Sequence, residues 1–344
     1  LTATAPRARH TIAIGQVERI LLGARRRGID VDALLESAGI APALLASPLS
    51  RVTQAQYARL THRLRHRLRD ELWGLCSRPV PPGAFGQTCR LLVGCRTLGE
   101  ALDIGLRQYR LLIDDFTPRL QRQGALASVS VAPRDPFDPL LAYAQRVFCF
   151  LAYGLASWLA GRRIPLLSVN YPASTPGPVS EAALVFQAPI QYGGERMAWT
   201  FGAGCLEMPV VQDAQSLTAF MRQAPASLLV KYRDHASVTE RIRRLLRHQL
   251  AAELPSLVQV ARQLDLTPQT LRRRLREEGQ AGFRAIKDDL RRDVAVEYLA
   301  RSEMALPEIA GLLGFSEAST FHRAFKHWTG VAPGAYRQAQ QRAA

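Results

Sequence analysis

The stretch that decides the fold is Leu306-Pro307-Glu308-Ile309-Ala310-Gly311-Leu312-Leu313-Gly314-Phe315-Ser316-Glu317-Ala318-Ser319-Thr320-Phe321-His322-Arg323-Ala324-Phe325-Lys326. Ile309, Ala310 and Leu313 share one face of a short helix at three- and four-residue spacing. Gly314 follows at a turn, where glycine adopts a left-handed backbone without a Cβ penalty. Phe315 plugs the core, and Ser316 is expected to cap the next helix with Ser319 three residues on. Phe321 and Phe325 then point inward, which leaves Ser319, His322, Arg323 and Lys326 outward. Two short helices about a tight turn make a helix-turn-helix, and the outer face of its second helix is the part that enters a DNA major groove.

The plan occurs twice. Upstream, from Ser256, Leu257, Val260, Ala261 and Leu264 mark one face of a short helix, and small Ala261 lets the next helix approach closely. Asp265-Leu266-Thr267 makes the turn. Thr267 is the N-cap and Pro268 takes the first helical position, where a missing N–H costs nothing. Leu271 and Leu275 are expected inside, and Gln269, Arg272, Arg273 and Arg276 outside; Gly279 closes the unit. The second unit has one more turn residue than the first. Between them Phe283, Ile286, Leu290, Val294 and Tyr298 recur at helical spacing, which predicts one long helix stiff enough to set the distance between the two readers.

On these residues, 253–337 resemble the DNA-binding domain of AraC/XylS-type transcriptional regulators. Ile309-Ala310, Gly314-Phe315, Ser319, Phe321, Arg323, Phe325-Lys326, Gly330, Pro333 and Tyr336-Arg337 all fall on the family signature. The resemblance implies seven helices, with two readers about one duplex turn, roughly 34 Å, apart. It places base contacts at Gln269, Arg272 and Arg273 in the first reader, and at Ser319, His322 and Arg323 in the second. Arg suits guanine O6/N7 and Gln suits adenine N6/N7, whereas Arg276, Lys326 and Arg337 suit phosphate. Arg323 has a second reading, as a structural pair within the fold. The first unit departs from the pattern, with Asp265 where the turn usually holds Gly.

The front of the chain reads as α+β. One helix is expected over Thr11 to Arg27, ended by Gly28, and another after the N-cap Asp30. Thr53 opens a third through Leu68, with Arg59, Arg63, Arg65, Arg67 and Arg69 on its other face; this is either a solvated face or a DNA contact. Thr97-Leu98-Gly99-Glu100 is a capping box. Phe116–Gln121 and Leu126–Val131 around Gln123-Gly124 read as a hairpin. Pro133, Pro136 and Pro139 precede a long helix over Leu140 to Leu159, and Leu167–Tyr171 and Ala198–Phe201 read as strands. The fold class is thus an α+β N-terminal effector domain followed by an all-α C-terminal domain with two helix-turn-helix units joined by a long helix. Residues 11–210 are assigned to the first domain, 211–235 to a linker helix and 236–340 to the second; residues 1–10 read as disordered.

Gly28-Ile29-Asp30, Leu34-Leu35, Ala38-Gly39-Ile40, Pro82-Gly83-Ala84-Phe85-Gly86 and Thr97-Leu98 with Glu100-Ala101-Leu102 also carry a resemblance. They are similar to the arabinose-binding-type N-terminal domain of a subset of AraC-type regulators that includes the ornithine-utilisation regulators. The resemblance implies effector sensing and dimerisation, not that arabinose is the ligand. Phe85, Tyr109, Phe116, Phe148, Phe150, Tyr153 and Trp158 either line a ligand cavity or form core; the sequence leaves the effector-binding residues unknown.

The composition is that of an ordinary globular protein. The 344 residues suggest about two domains, with 47% hydrophobic and 22% charged residues and a net charge of +16 that favours a polyanionic partner. The C-terminal third is denser in excess positive charge, and Lys occurs only at 231, 287 and 326. Neither a membrane span nor a secretory leader is expected, so the chain reads as cytoplasmic. Cys76, Cys89, Cys95, Cys149 and Cys205 lack metal or disulfide spacing, so no cofactor or metal is expected; redox sensing by Cys89 and Cys95 is the other reading. No G-x-S-x-G, G-x-G-x-x-G or P-loop occurs, so no catalytic residues are assigned, and Asp114-Asp115 reads as a solvated pair or an amine contact. The expected partners are double-stranded operator DNA and an unidentified small-molecule effector, with RNA polymerase and a second copy of the chain as further candidates. Rival readings are a constitutive regulator whose front domain only dimerises, and an enzyme fused to a DNA reader.

Overall fold

The computed structural model describes residues 10–134, 138–172, 186, 188–222, 237–252, 254–278, 280–301 and 303–342. Near its start, β1 (Ile12–Ala13) pairs antiparallel with β2 (Arg51–Val52), Ile12 facing Val52. Between them lie α1 (Ile14–Ile20), α2 (Leu22–Arg26), α3 (Val31–Ser37) and a 3-10 turn over Pro42–Ala46. The single helix expected over Thr11–Arg27 is therefore shorter and broken at Leu21, because Thr11 to Ala13 are drawn into other bonds. Gly28 ends α2 at φ +66°. Asp30 caps α3 by accepting the N–H groups of Asp32 and Ala33. Thr53 and Gln56 exchange reciprocal bonds of 2.8 and 3.2 Å that open α4 (Gln54–Leu68).

Next come α5 (Ala84–Leu92), α6 (Leu98–Leu112), the hairpin β3 (Phe116–Gln123) and β4 (Leu126–Pro133), and α7 (Pro139–Leu159). Then follow β5 (Leu166–Tyr171), β6 (Ile190–Tyr192), β7 (Met197–Gly202) and α8 (Ala214–Met221). The strands form one sheet in the order β3-β4-β7-β5-β6, antiparallel except for β5 with β6. α5 and β6 are absent from the sequence-based expectation: Pro81-Pro82-Gly83 reads as punctuation, and β6 has three residues. In the capping box, Thr97 accepts the Glu100 N–H at 3.2 Å, but the Glu100 carboxylate returns to the Arg96 N–H. α7 packs on β4 and β7, burying Tyr153 against Trp199 with the Tyr153 hydroxyl donating to the Ile164 carbonyl at 3.0 Å. Leu140–Leu159 is long and apolar enough to cross a bilayer, although no such run stood out in the sequence; 67% of its most apolar window is buried in the fold.

The helical end comprises α9 (Val238–Arg247), α10 (Leu257–Gln263), α11 (Pro268–Glu277), α12 (Phe283–Arg301), α13 (Leu306–Leu312), α14 (Ala318–Thr329) and α15 (Pro333–Arg342). The chain divides into two compact units. One holds the described parts of Leu1–Leu21, Asp30–Arg63 and His235–Ala344; the other holds Leu22–Ile29 and Leu64–Asp234. The early segment thus groups with the helical end. The expectations placed on residues 1–9, Pro136, most of the linker helix beyond residue 222, and Gly279 lie outside the described residues.

Polar bonds hold the early segment in the helical unit. Thr11 donates its N–H and hydroxyl to Asp293 Oδ1 on α12, at 3.3 and 2.5 Å. The Ser50 hydroxyl donates to the Thr329 carbonyl, the Tyr336 hydroxyl to the Arg51 carbonyl at 2.8 Å, and Gln56 to Gln340 at 2.8 Å. Asp293 also accepts from Arg243 of α9 at 2.6 Å, both side chains at most 3% exposed. Burial pushes the Asp293 carboxyl up, yet Arg243, Arg292, His10 and Arg51 outweigh it and hold the group below the usual carboxylate range. A depressed carboxyl stabilises the fold above its unfolded value and loses that contribution as pH falls.

Two outcomes follow for Asp293→Asn. It leaves Arg243 buried against a neutral partner and should cost about 3–5 kcal/mol in urea unfolding at pH 7. Its stability should also fall less steeply than that of the parent as pH drops below about 4, the unfolded carboxyl value; parallel pH profiles would contradict the role of this charge.

Candidate nucleic-acid interface and ligand cavity

The two helix-turn-helix units close by the same bonds. In the first, the Leu266 N–H reaches the Ala261 carbonyl at 2.9 Å; in the second, the Phe315 N–H reaches the Ala310 carbonyl at 3.0 Å. The residue before each donor has a left-handed backbone, Asp265 at φ +55° and Gly314 at φ +74°. At Gly314 the requirement is doubled, since a Cβ would lie 2.7 Å from the Leu250 carbonyl. Asp265 meets only the backbone requirement, which a short polar side chain tolerates. Ala261 and Ala310 are buried at the helix crossings, as are Leu271, Leu275, Phe321 and Phe325.

Thr267 caps α11, its hydroxyl accepting the Thr270 N–H at 3.1 Å. Ser316 does not cap α14. The extra turn residue shifts the start by one, so Glu317 takes the N-cap position without a side-chain bond. Glu317 instead accepts the Ser319 hydroxyl at 2.9 Å. This carboxylate at the mouth of the second reader was missed in the sequence. So was Arg291 of α12, which donates to the Leu313 carbonyl at 3.0 Å and stacks over Phe315, fixing the second turn. Phe315 is only half-buried.

Gln269, Arg272, Arg273 and Arg276 are exposed on α11, and Ser319, His322, Arg323 and Lys326 on α14. Arg273 makes an i,i+4 contact of 3.8 Å with Glu277, both well exposed. Such a pair contributes about 0–1 kcal/mol and yields readily to a better anion. Arg337 is placed otherwise. It sits half-buried on α15, with Nε and Nη2 buried and making no hydrogen bond among the described residues. At the base of α11, the Glu278 carboxylate accepts the Val238 and Thr239 N–H groups at 2.7 and 2.8 Å, capping α9.

The sheet-bearing unit contains an apolar pocket, partly open to solvent, with an internal volume of about 50 Å³. Three helices turn one stripe each toward it. Phe85, Thr88 and Leu92 come from α5, and Ala101, Gly105 and Tyr109 from α6. Phe148, Ala152 and Ala156 come from α7. Of the aromatic candidates, Phe85, Tyr109 and Phe148 line the space, whereas Phe116 and Tyr153 are core and Trp158 stacks on Phe220 at 4.1 Å. The loop beside the cavity is pinned by Asp70, whose carboxylate accepts the N–H groups of Leu72, Gly74 and Val80 at 2.8–2.9 Å.

Other candidate chemistry is absorbed by structure. Asp114 pairs with Arg78, and Asp115 accepts from the Ser77 N–H and hydroxyl. Burial, and next Glu71, push the Cys89 thiol up to about 12, and burial raises Cys95 as well, which keeps both as poorly reactive thiols. Among the described residues, no group of three or more His, Cys, Asp or Glu is placed to hold a metal ion.

Comparison with known proteins matches residues 28–210 to the arabinose-binding domain of AraC transcription regulators, and residues 260–339 to a helix-turn-helix domain. The chain belongs to the AraC family of transcription regulators. The ornithine utilization regulator of Pseudomonas aeruginosa is 26% identical over 337 residues, covering 95% of this chain and 96% of that one. The regulator VirS of Mycobacterium tuberculosis is 40% identical over 102 residues, 30% of each chain. The crystal structure of the regulator CdpR from Pseudomonas aeruginosa aligns over 94% of this chain and 98% of its own, at 22% identity and a TM-score of 0.32. The relatives are transcription regulators and not enzymes, so the reading of an enzyme fused to a DNA reader falls away.

The two turns should respond oppositely to substitution. Asp265→Gly removes a left-handed strain and should raise stability by a few tenths to about 1 kcal/mol. Gly314→Ala adds both strain and a clash and should lower it by about 2–3 kcal/mol. Urea unfolding of the two variants beside the parent measures both; equal shifts would show that the turns are equivalent.

Proposed function

We propose that this AraC-family chain is a sequence-specific transcription activator that reads operator DNA through α11 and α14 and answers to a small molecule held in the cavity between α5, α6 and α7. The observation that carries the DNA reading is the pair of exposed, cationic helix faces beyond two matching turns. Within those faces we assign base contacts to Gln269, Arg272 and Arg273 on α11 and to Ser319, His322 and Arg323 on α14. Arg276, Lys326 and Arg337 are assigned to phosphate. Ser319 can donate to a base only after leaving Glu317, so the second reader changes its own bonding on docking. Family membership and the cavity support effector sensing, and a chain that acts on the bacterial genome works in the cytoplasm. RNA polymerase contact and pairing of two copies on the operator complete the proposal.

The test starts from a random-sequence duplex pool selected on the full chain, followed by footprinting and titration of the selected site. Arg273→Ala should weaken specific binding by about 1–3 kcal/mol and relax one base position, because a bidentate arginine contact is lost. Affinity should fall steeply with salt, the logarithmic slope shrinking by about 1 in Lys326→Ala. An unchanged footprint in the first variant, or a flat salt response in the parent, would refute these assignments.

A further inference from the structure

The chemistry of the cavity wall is unusually uniform. Among its lining residues no Arg, Lys or His occurs, and Glu71, Thr88 and Tyr109 are the polar members of an otherwise hydrocarbon surface. Two of those three are already engaged. Glu71 spends both carboxylate oxygens on α5, accepting the Gly83 N–H at 2.7 Å and the Phe85 N–H at 2.6 Å. The Thr88 hydroxyl donates to the Ala84 carbonyl at 2.9 Å. Tyr109 differs, since its ring packs edge-on against Phe148 at 5.2 Å while its hydroxyl has no hydrogen-bond partner among the described residues. Burial, and next Glu71, raise this phenol well above its usual range, so it stays a neutral donor.

The space exists because small residues meet where the helices face one another. Gly105 of α6 and Ala152 and Ala156 of α7 leave room that larger side chains would fill, and even a Cβ at Gly105 would come within 3.2 Å of Leu92. A charged ligand would be stripped of water here without a counter-ion. A carboxylate or phosphate finds no cation, and an amino acid's carboxylate fares no better even if its amine approaches Glu71.

We propose that the cavity binds an uncharged, largely hydrocarbon molecule carrying one oxygen acceptor, which takes the hydrogen bond of the Tyr109 hydroxyl. This rests on the effector reading above and narrows it to a chemical class, away from amino acids and sugars.

The test uses the full chain with N-phenyl-1-naphthylamine as a neutral fluorescent reporter, competed by 1-decanol, decanoate, decylamine or L-ornithine at pH 7.5. The expected result is displacement by 1-decanol at a concentration at least ~10-fold lower than by any charged competitor. Tyr109→Phe should weaken 1-decanol about 3- to 10-fold through the lost hydrogen bond. Ala152→Leu, which fills the space, should weaken the reporter by ~10-fold or more with no loss in melting temperature. Equal or better displacement by decylamine, decanoate or L-ornithine would overturn the proposal, as would an Ala152→Leu variant that melts like the parent and binds the reporter unchanged. Titration of the selected duplex with and without 1-decanol separates the two readings. Binding of 1-decanol without any change in DNA affinity upholds the ligand class and refutes its role as effector; intact DNA binding with no displacement by 1-decanol refutes the ligand class alone.

Discussion

A single buried carboxylate organises the helical unit. Asp293 sits at the middle of α12, the helix that joins the two readers, and meets Arg243 from α9 together with Thr11 and His10 from the start of the chain. An isolated charge at that depth would be untenable, so every group around it is obliged to stay. The bond thereby fixes α9 against α12, and Glu278 at the foot of α11 then caps α9. The first reader is tied to the centre of its unit by polar bonds at its base and by Leu271 and Leu275 along its inner face.

The second reader is held differently. Gly314, seated against the Leu250 carbonyl, and Arg291, clamped over Phe315, fix its turn by close packing. Its outward end carries Glu317, whose acidic group is set among residues otherwise suited to nucleic acid. Two copies of one motif have reached similar geometry by different interactions, which is why the residues outside the shared turn differ so much between them. The other unit uses packing in the opposite sense, leaving volume unfilled where Gly105, Ala152 and Ala156 meet.

What could be read in advance was local. Asp30, Thr53, Thr97 and Thr267 announce helix starts because a cap bonds within three residues of itself. The hairpin and the long helices were legible from period alone. The reader faces followed from Leu271, Leu275, Phe321 and Phe325, since knowing the buried stripe fixes the exposed one. Failures came where a distant partner decides. The helix expected from Thr11 starts late because Asp293 claims Thr11 from 282 residues away. Ser316 loses the cap to Glu317 through one extra residue in the turn. The cavity was invisible as a cavity: Ala152 and Ala156 look like ordinary helix formers until α6 is seen to bring Gly105 to the same place.

The union of residues 10–21 and 30–63 with the helical end has a consequence for how the molecule is made. The strand pair β1–β2 and the start of α4 leave the ribosome early, yet Gln56 and Arg51 meet Gln340 and Tyr336, which follow 284 and 285 residues later. Contacts this distant in sequence delay folding. The helical unit therefore cannot mature until α15 has been made, and until then the early segment must keep its polar groups turned to water.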